Sequence, residues 1–376
     1  MPGLSLLIKP ASGMCNMRCR YCFYTDVSAH RETVCYGTMS EETLQTLMRR
    51  AFSYADGHIS FAFQGGEPLL AGKDFFRRVI SLQRKYNQAR HLSITNAVQT
   101  NGTLMDDEWA EIFKEGGFLV GVSVDGTEAL HDLYRVDAAG QPTHKRVMEG
   151  IQVLQRHQVD YNVLCVVTKQ AAQKAEEVFD ALALHRYLQF IPCLDELNGQ
   201  KHEFSLDASG YGSFLIHTFD RYEKAWRKNR PISIRTFDNW IGMLLGNPPE
   251  SCGMSGCCGQ YYLVEADGSV YPCDFYVLDE WRMGNIKETS FFRLASSEIG
   301  ERFRKMSWRL PESCRSCPYV ALCRGGCRRE REPFVDNEPS LSCLCEGNKR
   351  FFDARMSQLK QLARNIQSLQ SYRKEH

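Results

Sequence analysis

A chain of 376 residues, 43% of them apolar, can bury a large core, and its length suits one big domain with a smaller one rather than a peptide scaffold. Lys and Arg total 46 against 45 Asp and Glu, so the net charge of +1 supplies no long-range field for nucleic acid or an anionic membrane surface. The opening MPGLSLLIKP lacks a basic stretch ahead of a long apolar run, and nowhere do about 18 apolar residues follow one another, so the expected compartment is the cytoplasm.

In chain order, short β-rich runs alternate with segments of helical period up to about residue 195. The strands are read at Ser5 to Ile8, Ile59 to Phe63, Leu92 to Val98, Leu119 to Val124, Tyr161 to Val167 and Leu188 to Ile191. Helices are expected at about 40–55, 73–87, 106–115, 143–157 and 171–185, the first opened by Ser40 with Glu42 in its first turn. Six strands with crossing helices predict a parallel, curved or barrel-like α/β sheet, which binds ligands at the carboxyl ends of its strands. A CxxxCxxC loop, GGEP and QTNG follow the first three strands, and SVDG ends the fourth, so four motifs should meet on one rim.

After residue 200 the alternation fades into an aromatic-rich helical stretch, and Pro248 and Pro249 precede a second cysteine-rich zone. The boundaries expected are 1–235 for the α/β module, 236–350 for the cysteine-rich module and 351–376 for a closing helix. Within the second module, YYLVEADGSVYPC predicts a hairpin turning at Asp267-Gly268.

The 16 cysteines are unevenly spread: three between 15 and 22, ten between 252 and 345, and only Cys35, Cys165 and Cys193 elsewhere. In a reducing compartment they point to metal or redox centres rather than disulfides. Cys15, Cys19 and Cys22 can hold three corners of a [4Fe–4S] cube and leave one iron open, whereas a usual cube or tetrahedral zinc site takes four protein ligands. The plainer alternative is a zinc knuckle with a borrowed fourth ligand. GGEP alone would as often be a turn, and the CxxC portion of the second zone alone would equally suit a zinc ribbon.

CNMRCRYCFY followed by FQGGEP resembles the radical S-adenosylmethionine superfamily. That resemblance implies a partial (β/α)6 barrel whose open iron takes the amino and carboxylate groups of S-adenosylmethionine. Gly65, Gly66 and Glu67 would approach the methionine amino group through backbone, and Tyr21, Ser123, Arg135 and Leu194 would be further cofactor contacts. Arg135 read alone is nearly as well explained by a surface ion pair, and Ser123 by a turn cap.

The second zone resembles a SPASM domain, which carries two auxiliary [4Fe–4S] clusters, making three in all. The resemblance implies that Cys252, Cys258, Cys273 and Cys327 hold one and Cys314, Cys317, Cys323 and Cys345 the other. Cys257 beside Cys258 and Cys343 beside Cys345 leave two positions open, with Cys258 and Cys345 favoured.

Across LLIKPAS, VQTNGT, LQFIPCLD, YPCDFYVLD and LCRGGCRR the chain resembles the anaerobic sulfatase-maturating enzymes. These convert a cysteine or serine of a sulfatase to Cα-formylglycine. The resemblance implies a sulfatase polypeptide with a CxPxR-type motif as substrate, and an electron donor such as flavodoxin or ferredoxin. A 5′-deoxyadenosyl radical would take hydrogen from Cβ, Asp274 would act as base for the thiol or hydroxyl proton, and Tyr24 and Gln64 would line the peptide pocket. An aspartate in such a loop can also simply cap a backbone amide.

Two other readings compete. Another SPASM enzyme would form a thioether or carbon–carbon crosslink in a ribosomal peptide, although many of these carry a leader-binding domain for which Cys15 comes too early. A non-catalytic iron–sulfur carrier or zinc-stabilised protein would gain nothing from an open iron.

Overall fold

The computed structural model describes residues 3–335 and 338–375, and the chain divides into two compact units. The first runs up to Val124 and adds 131–162 and 259–304; the second comprises 125–130, 163–258 and the chain from Lys305 onward.

In the first unit β1 (Leu4–Ile8), β2 (His58–Phe63), β3 (Ser93–Thr100) and β4 (Phe118–Ser123) pair in parallel, with Leu4 opposite Ile59, Ile59 opposite Ile94 and Val98 opposite Val120. Each has its helical crossover, so the α/β class expected from the sequence holds. Ser40 Oγ accepts from Thr43 N at 3.1 Å to open helix Glu41–Tyr54, and Asp106 does the same for Trp109 N at 2.9 Å before helix Asp107–Glu115. Along β2, Ile59, Phe61 and Phe63 are fully buried. Phe63 meets Phe76 edge-on at 5.3 Å, and Phe76 packs on Phe113 and Trp109, which fixes helix Lys73–Asn87 against the sheet. Removing a ring from such a cluster costs roughly 3–5 kcal/mol.

The predicted hairpin forms: β8 (Tyr262–Val264) and β9 (Ser269–Tyr271) are antiparallel, with Gly268 at φ +93° in the turn. Its partner was not foreseen. β8 adds in parallel to β1, Leu6 lying opposite Tyr262, and β10 (Gly284–Asn285) completes the order β10-β9-β8-β1-β2-β3-β4. Segment 259–304 of the cysteine-rich stretch therefore belongs to the unit that holds the three-cysteine loop.

The second unit contains β6 (Tyr187–Pro192), parallel to β5 (Tyr161–Val167) and to β7 (Ser233–Ile234). The single helix expected over 171–185 is broken: helices Lys169–Gln173 and Ala175–Leu182 meet at Lys174, whose φ and ψ of −119° and 36° leave the helical region. Helix Ala208–Arg227 lies against helix Cys345–Glu375, and Phe219, Phe237, Trp240 and Phe351 pack beside that contact. Among the described residues no helix is long and apolar enough to cross a membrane.

Candidate functional site

Three loops of the first unit meet above the strand ends. Glu67 N donates to Met14 O at 2.7 Å, so the GGE turn lies directly against the backbone ahead of Cys15. Gly66 makes that approach possible: its φ is +56°, and a Cβ there would stand 2.1 Å from Met14 O. The Glu67 side chain turns inward and is fully buried. Its Oε1 accepts from Leu69 N and Thr100 Oγ1, and its Oε2 from Asn101 N, which ties the turn after β2 to the end of β3. Burial pushes the Glu67 carboxyl up to about 7 against these three donors.

Asn101 of the QTNG string extends the link. Its Nδ2 donates to Asn16 Oδ1 at 2.8 Å and reaches Cys15 Sγ at 3.9 Å, and Met17 N reaches the same sulfur at 3.4 Å. Arg135 Nη1 lies 3.7 Å from Cys19 Sγ, and its guanidinium stands 5.6 Å above the Tyr21 ring. Arg135 is buried, so it is not a surface ion-pair arginine. Ser123 at the end of β4 accepts from Gln99 Nε2 at 3.0 Å. Two thiols of the loop, Cys15 and Cys19, that receive N–H donors and a glycine turn held against that loop fit an iron–sulfur cluster, whose sulfurs are tuned by such hydrogen bonds.

Asp274, Gln64 and Tyr24 belong to the same unit and form one chain of contacts. Gln64 Nε2 donates to Tyr24 Oη at 2.7 Å and to Asp274 Oδ2 at 3.2 Å, which uses both hydrogens of its amide. The other carboxylate oxygen, Oδ1, accepts from Tyr261 Oη at 2.6 Å. Asp274 is thus held by side chains rather than serving as a simple loop cap. Burial first, and the Asp274 charge second, push the Tyr24 phenol well above its ordinary value, so it stays neutral. Phe23 packs on Phe275 at 4.6 Å, joining helix Phe23–Ala29, which Cys22 directly precedes as N-cap, to the segment carrying Asp274. Sequence reading missed that seven-residue helix because Thr25 and Val27 give it weak intrinsic preference and its contacts are distant in the chain.

A buried ion cluster, also unforeseen, lies nearby. Lys9 Nζ and Arg31 Nη1 each stand 2.8 Å from Glu265 Oε1, and Lys9 Nζ lies 5.2 Å from the Tyr24 ring centre. The only sequence signal was an otherwise odd lysine in LLIKPAS.

The remaining thiols fall mostly in the second unit. Burial, then Glu330, raises the Cys327 thiol well above its ordinary range, and Cys258 and Cys252 add to the rise. The Cys323 thiol is pushed to about 11 by burial, with Cys345 and Cys314 among its neighbours, while Cys345 senses Cys314 and Cys317. Cys314, Cys317, Cys323 and Cys345 therefore gather in one place. Cys343, raised to about 11 by burial, has Glu330 and Asp195 as its acidic neighbours instead. Leu194 follows β6 in this second unit, whereas Cys273 sits in the first, its sulfur 3.5 Å from Asp274 Oδ1. None of the 16 cysteines forms a disulfide. Among the described residues no three His, Cys, Asp or Glu side chains close on a point as one mononuclear ion requires.

Comparison with known proteins agrees with this architecture. Residues 10–182 match the radical SAM superfamily model, and residues 256–318 match the model of an iron–sulfur cluster-binding domain, SPASM. The chain is 43% identical to a cysteine-type anaerobic sulfatase-maturating enzyme of Clostridium novyi, over 97% of this chain and 99% of that one. It is 32% identical to a serine-type anaerobic sulfatase-maturating enzyme of Bacteroides thetaiotaomicron, over 93% of this chain and 88% of that one. A solved structure, native anSMEcpe with bound AdoMet and Cp18Cys peptide, superposes with a TM-score of 0.92 at 42% identity, covering 97% of this chain and all of that one.

Proposed function

Because the chain belongs to the anaerobic sulfatase-maturating enzymes, radical S-adenosylmethionine proteins with a SPASM domain, we propose that it oxidises a sulfatase cysteine to Cα-formylglycine. Cysteine is favoured over serine by the higher identity to the cysteine-type relative, 43% against 32%.

The observation that carries this reading is the Asp274 carboxylate, fixed by Tyr261 and Gln64 in the unit that also holds Cys15, Cys19 and Cys22. In the proposed assignment those three thiolates hold the cluster that binds S-adenosylmethionine. Gly65, Gly66 and Glu67 shape the cofactor turn, with Tyr21, Ser123, Arg135 and Leu194 as further contacts. Cys314, Cys317, Cys323 and Cys345 would hold one auxiliary cluster, and by the family resemblance Cys252, Cys258, Cys273 and Cys327 would hold the other. When bound, cluster and S-adenosylmethionine together supply abstraction of a hydrogen atom from carbon.

The protein's own part is proton chemistry and alignment. Oδ2 of Asp274 takes the proton of the substrate thiol, being the oxygen that Tyr261 leaves unoccupied. Gln64 and Tyr24 line the pocket; Gln64 Nε2 holds that oxygen, and Tyr24 Oη accepts the other hydrogen of the same amide. Loss of one hydrogen atom, one proton and one electron turns CH₂SH into a thioaldehyde, which water converts to the aldehyde with release of hydrogen sulfide. The substrate's electron would pass to the auxiliary clusters, a one-electron donor of the flavodoxin or ferredoxin kind would reduce the first cluster, and the cytoplasm is the proposed setting.

The reading is tested by anaerobic incubation of reduced enzyme and S-adenosylmethionine with a cysteine peptide bearing a CxPxR motif. Mass spectrometry should find a loss of about 18 Da, largely abolished by Asp274→Asn. An unchanged peptide beside continuing cofactor cleavage would assign the protein a different substrate, and a crosslinked product that keeps its sulfur would make it a crosslinking SPASM enzyme.

A further inference from the structure

Tyr261 stands just ahead of β8, and continuing the register in which Leu263 faces Tyr271 sets it across from Cys273. From there its hydroxyl touches Asp274 twice: it donates to Oδ1 at 2.6 Å and accepts from the Asp274 backbone N–H at 3.3 Å. The same oxygen lies 3.4 Å from Cys273 Sγ. The other carboxylate oxygen, Oδ2, accepts from Gln64 Nε2 at the longer distance of 3.2 Å. A carboxylate held at both its side-chain oxygen and its own amide by one hydroxyl has little freedom to rotate about χ1 or χ2. A rigid tyrosine ring, itself fixed at a strand end, suits that task better than a flexible side chain.

We propose that Tyr261 is a positioning residue for the reaction, locking Oδ1 of Asp274 so that Oδ2 alone presents a lone pair to the substrate thiol. Tyr261 acts through Asp274 and does not touch the reacting atoms. The inference rests on Asp274 being the base, and no part of the cysteine or glycine motifs predicts it. Without the phenol, Asp274 can turn its carboxylate toward Gln64 or water. Hydrogen abstraction would then proceed while proton removal lags, and the two events would uncouple.

The test uses the full-length, cluster-loaded enzyme with the cysteine peptide. In Tyr261→Phe, which keeps the ring and loses one oxygen, formylglycine formation should fall on the order of 10-fold to 100-fold. Peptide KM should stay within about twofold, and 5′-deoxyadenosine formed per aldehyde should rise, since misplacement of a base reduces productive turnover rather than binding. Iron content and the cluster EPR spectra should match the unsubstituted enzyme. Adding Tyr261→Phe to Asp274→Asn should cost nothing further, because two residues acting as one unit are not additive. Wild-type coupling in Tyr261→Phe, or full additivity in the double variant, overturns the positioning role. So does a changed cluster potential with normal coupling, which would place the effect of Tyr261 at Cys273. The base reading fails separately: it falls if Asp274→Asn still makes aldehyde at the wild-type rate, whatever Tyr261→Phe does.

Discussion

Lys9 Nζ lies 2.8 Å from Glu265 Oε1, both side chains fully buried, although 256 residues separate them in the chain. Arg31 shares the same oxygen, and Ala266 N caps the other at 3.0 Å. Burial opposes ionisation of Glu265, yet the two cations outweigh it and its carboxyl is held below the ordinary range. Lys9 is the reverse case: burial lowers its pKa, and Glu265 opposes the fall. Removing the shared anion strands two cations, so Glu265→Gln should cost about 3–5 kcal/mol in urea unfolding. An unshifted midpoint would mean that the cluster carries no net weight.

Gly66 is the position where the GGE turn and the cysteine loop touch. Gly66→Ala asks for a methyl group 2.1 Å from Met14 O, on backbone with φ +56°. The turn must withdraw, at about 3 kcal/mol or more if it remains folded. The expected outcome is loss of S-adenosylmethionine cleavage while the second unit's iron is retained, read by 5′-deoxyadenosine assay and iron analysis.

Glu67 gives a pH signature. Its folded pKa of about 7 lies above the ordinary 4.5, so the folded state prefers the protonated acid. The cost is absent below about pH 4.5, grows as pH rises toward 7, and levels at about 3 kcal/mol above that. Glu67→Gln cannot ionise, so the melting temperature of wild type should fall relative to the variant between pH 5 and 8. Parallel profiles would show that the three donors fully offset burial.

Cys343 and Cys345 separate by their neighbours. Cys345 lies among Cys314 and Cys317, whereas Cys343 faces Glu330 and Asp195. Cys345→Ala should therefore lose the iron of one cluster, about four atoms per chain, while Cys343→Ala keeps its full complement. The reverse result would exchange their roles.

In the second unit, Gly212 and Gly347 let two helices touch at their backbones. A Cβ on Gly347 would stand 2.3 Å from Ala208 O, and one on Gly212 would be 2.9 Å from Gly347 O. Gly347→Ala improves helix propensity by about 1 kcal/mol but forces the helices apart, for a net loss of roughly 1–2 kcal/mol. Thermal unfolding reads the sign: a stabilised variant would show that the helices separate freely.

The residues closest together in the chain were the most legible. CxxxCxxC, GGE and the later cysteine strings are local patterns, because cluster ligation and tight turns demand fixed residue types at fixed short spacings. Strand and helix periods likewise gave β1 to β6 and the α/β class, since alternation reports which face of an element is buried.

What alternation does not report is the partner. The hairpin at Asp267-Gly268 was readable, but its addition to β1 was not, for a strand's side chains specify a face and a depth rather than a neighbour. That pairing brings Glu265 to Lys9 and Arg31, and Tyr261 and Asp274 to the unit of Gln64 and Tyr24. The sequence by itself determined the donor atoms available to clusters and cofactor. Only the tertiary structure decided which hydroxyl and which amide grip the Asp274 carboxylate, because each such contact depends on strand order, with favourable burial outweighing the entropy of closing long loops.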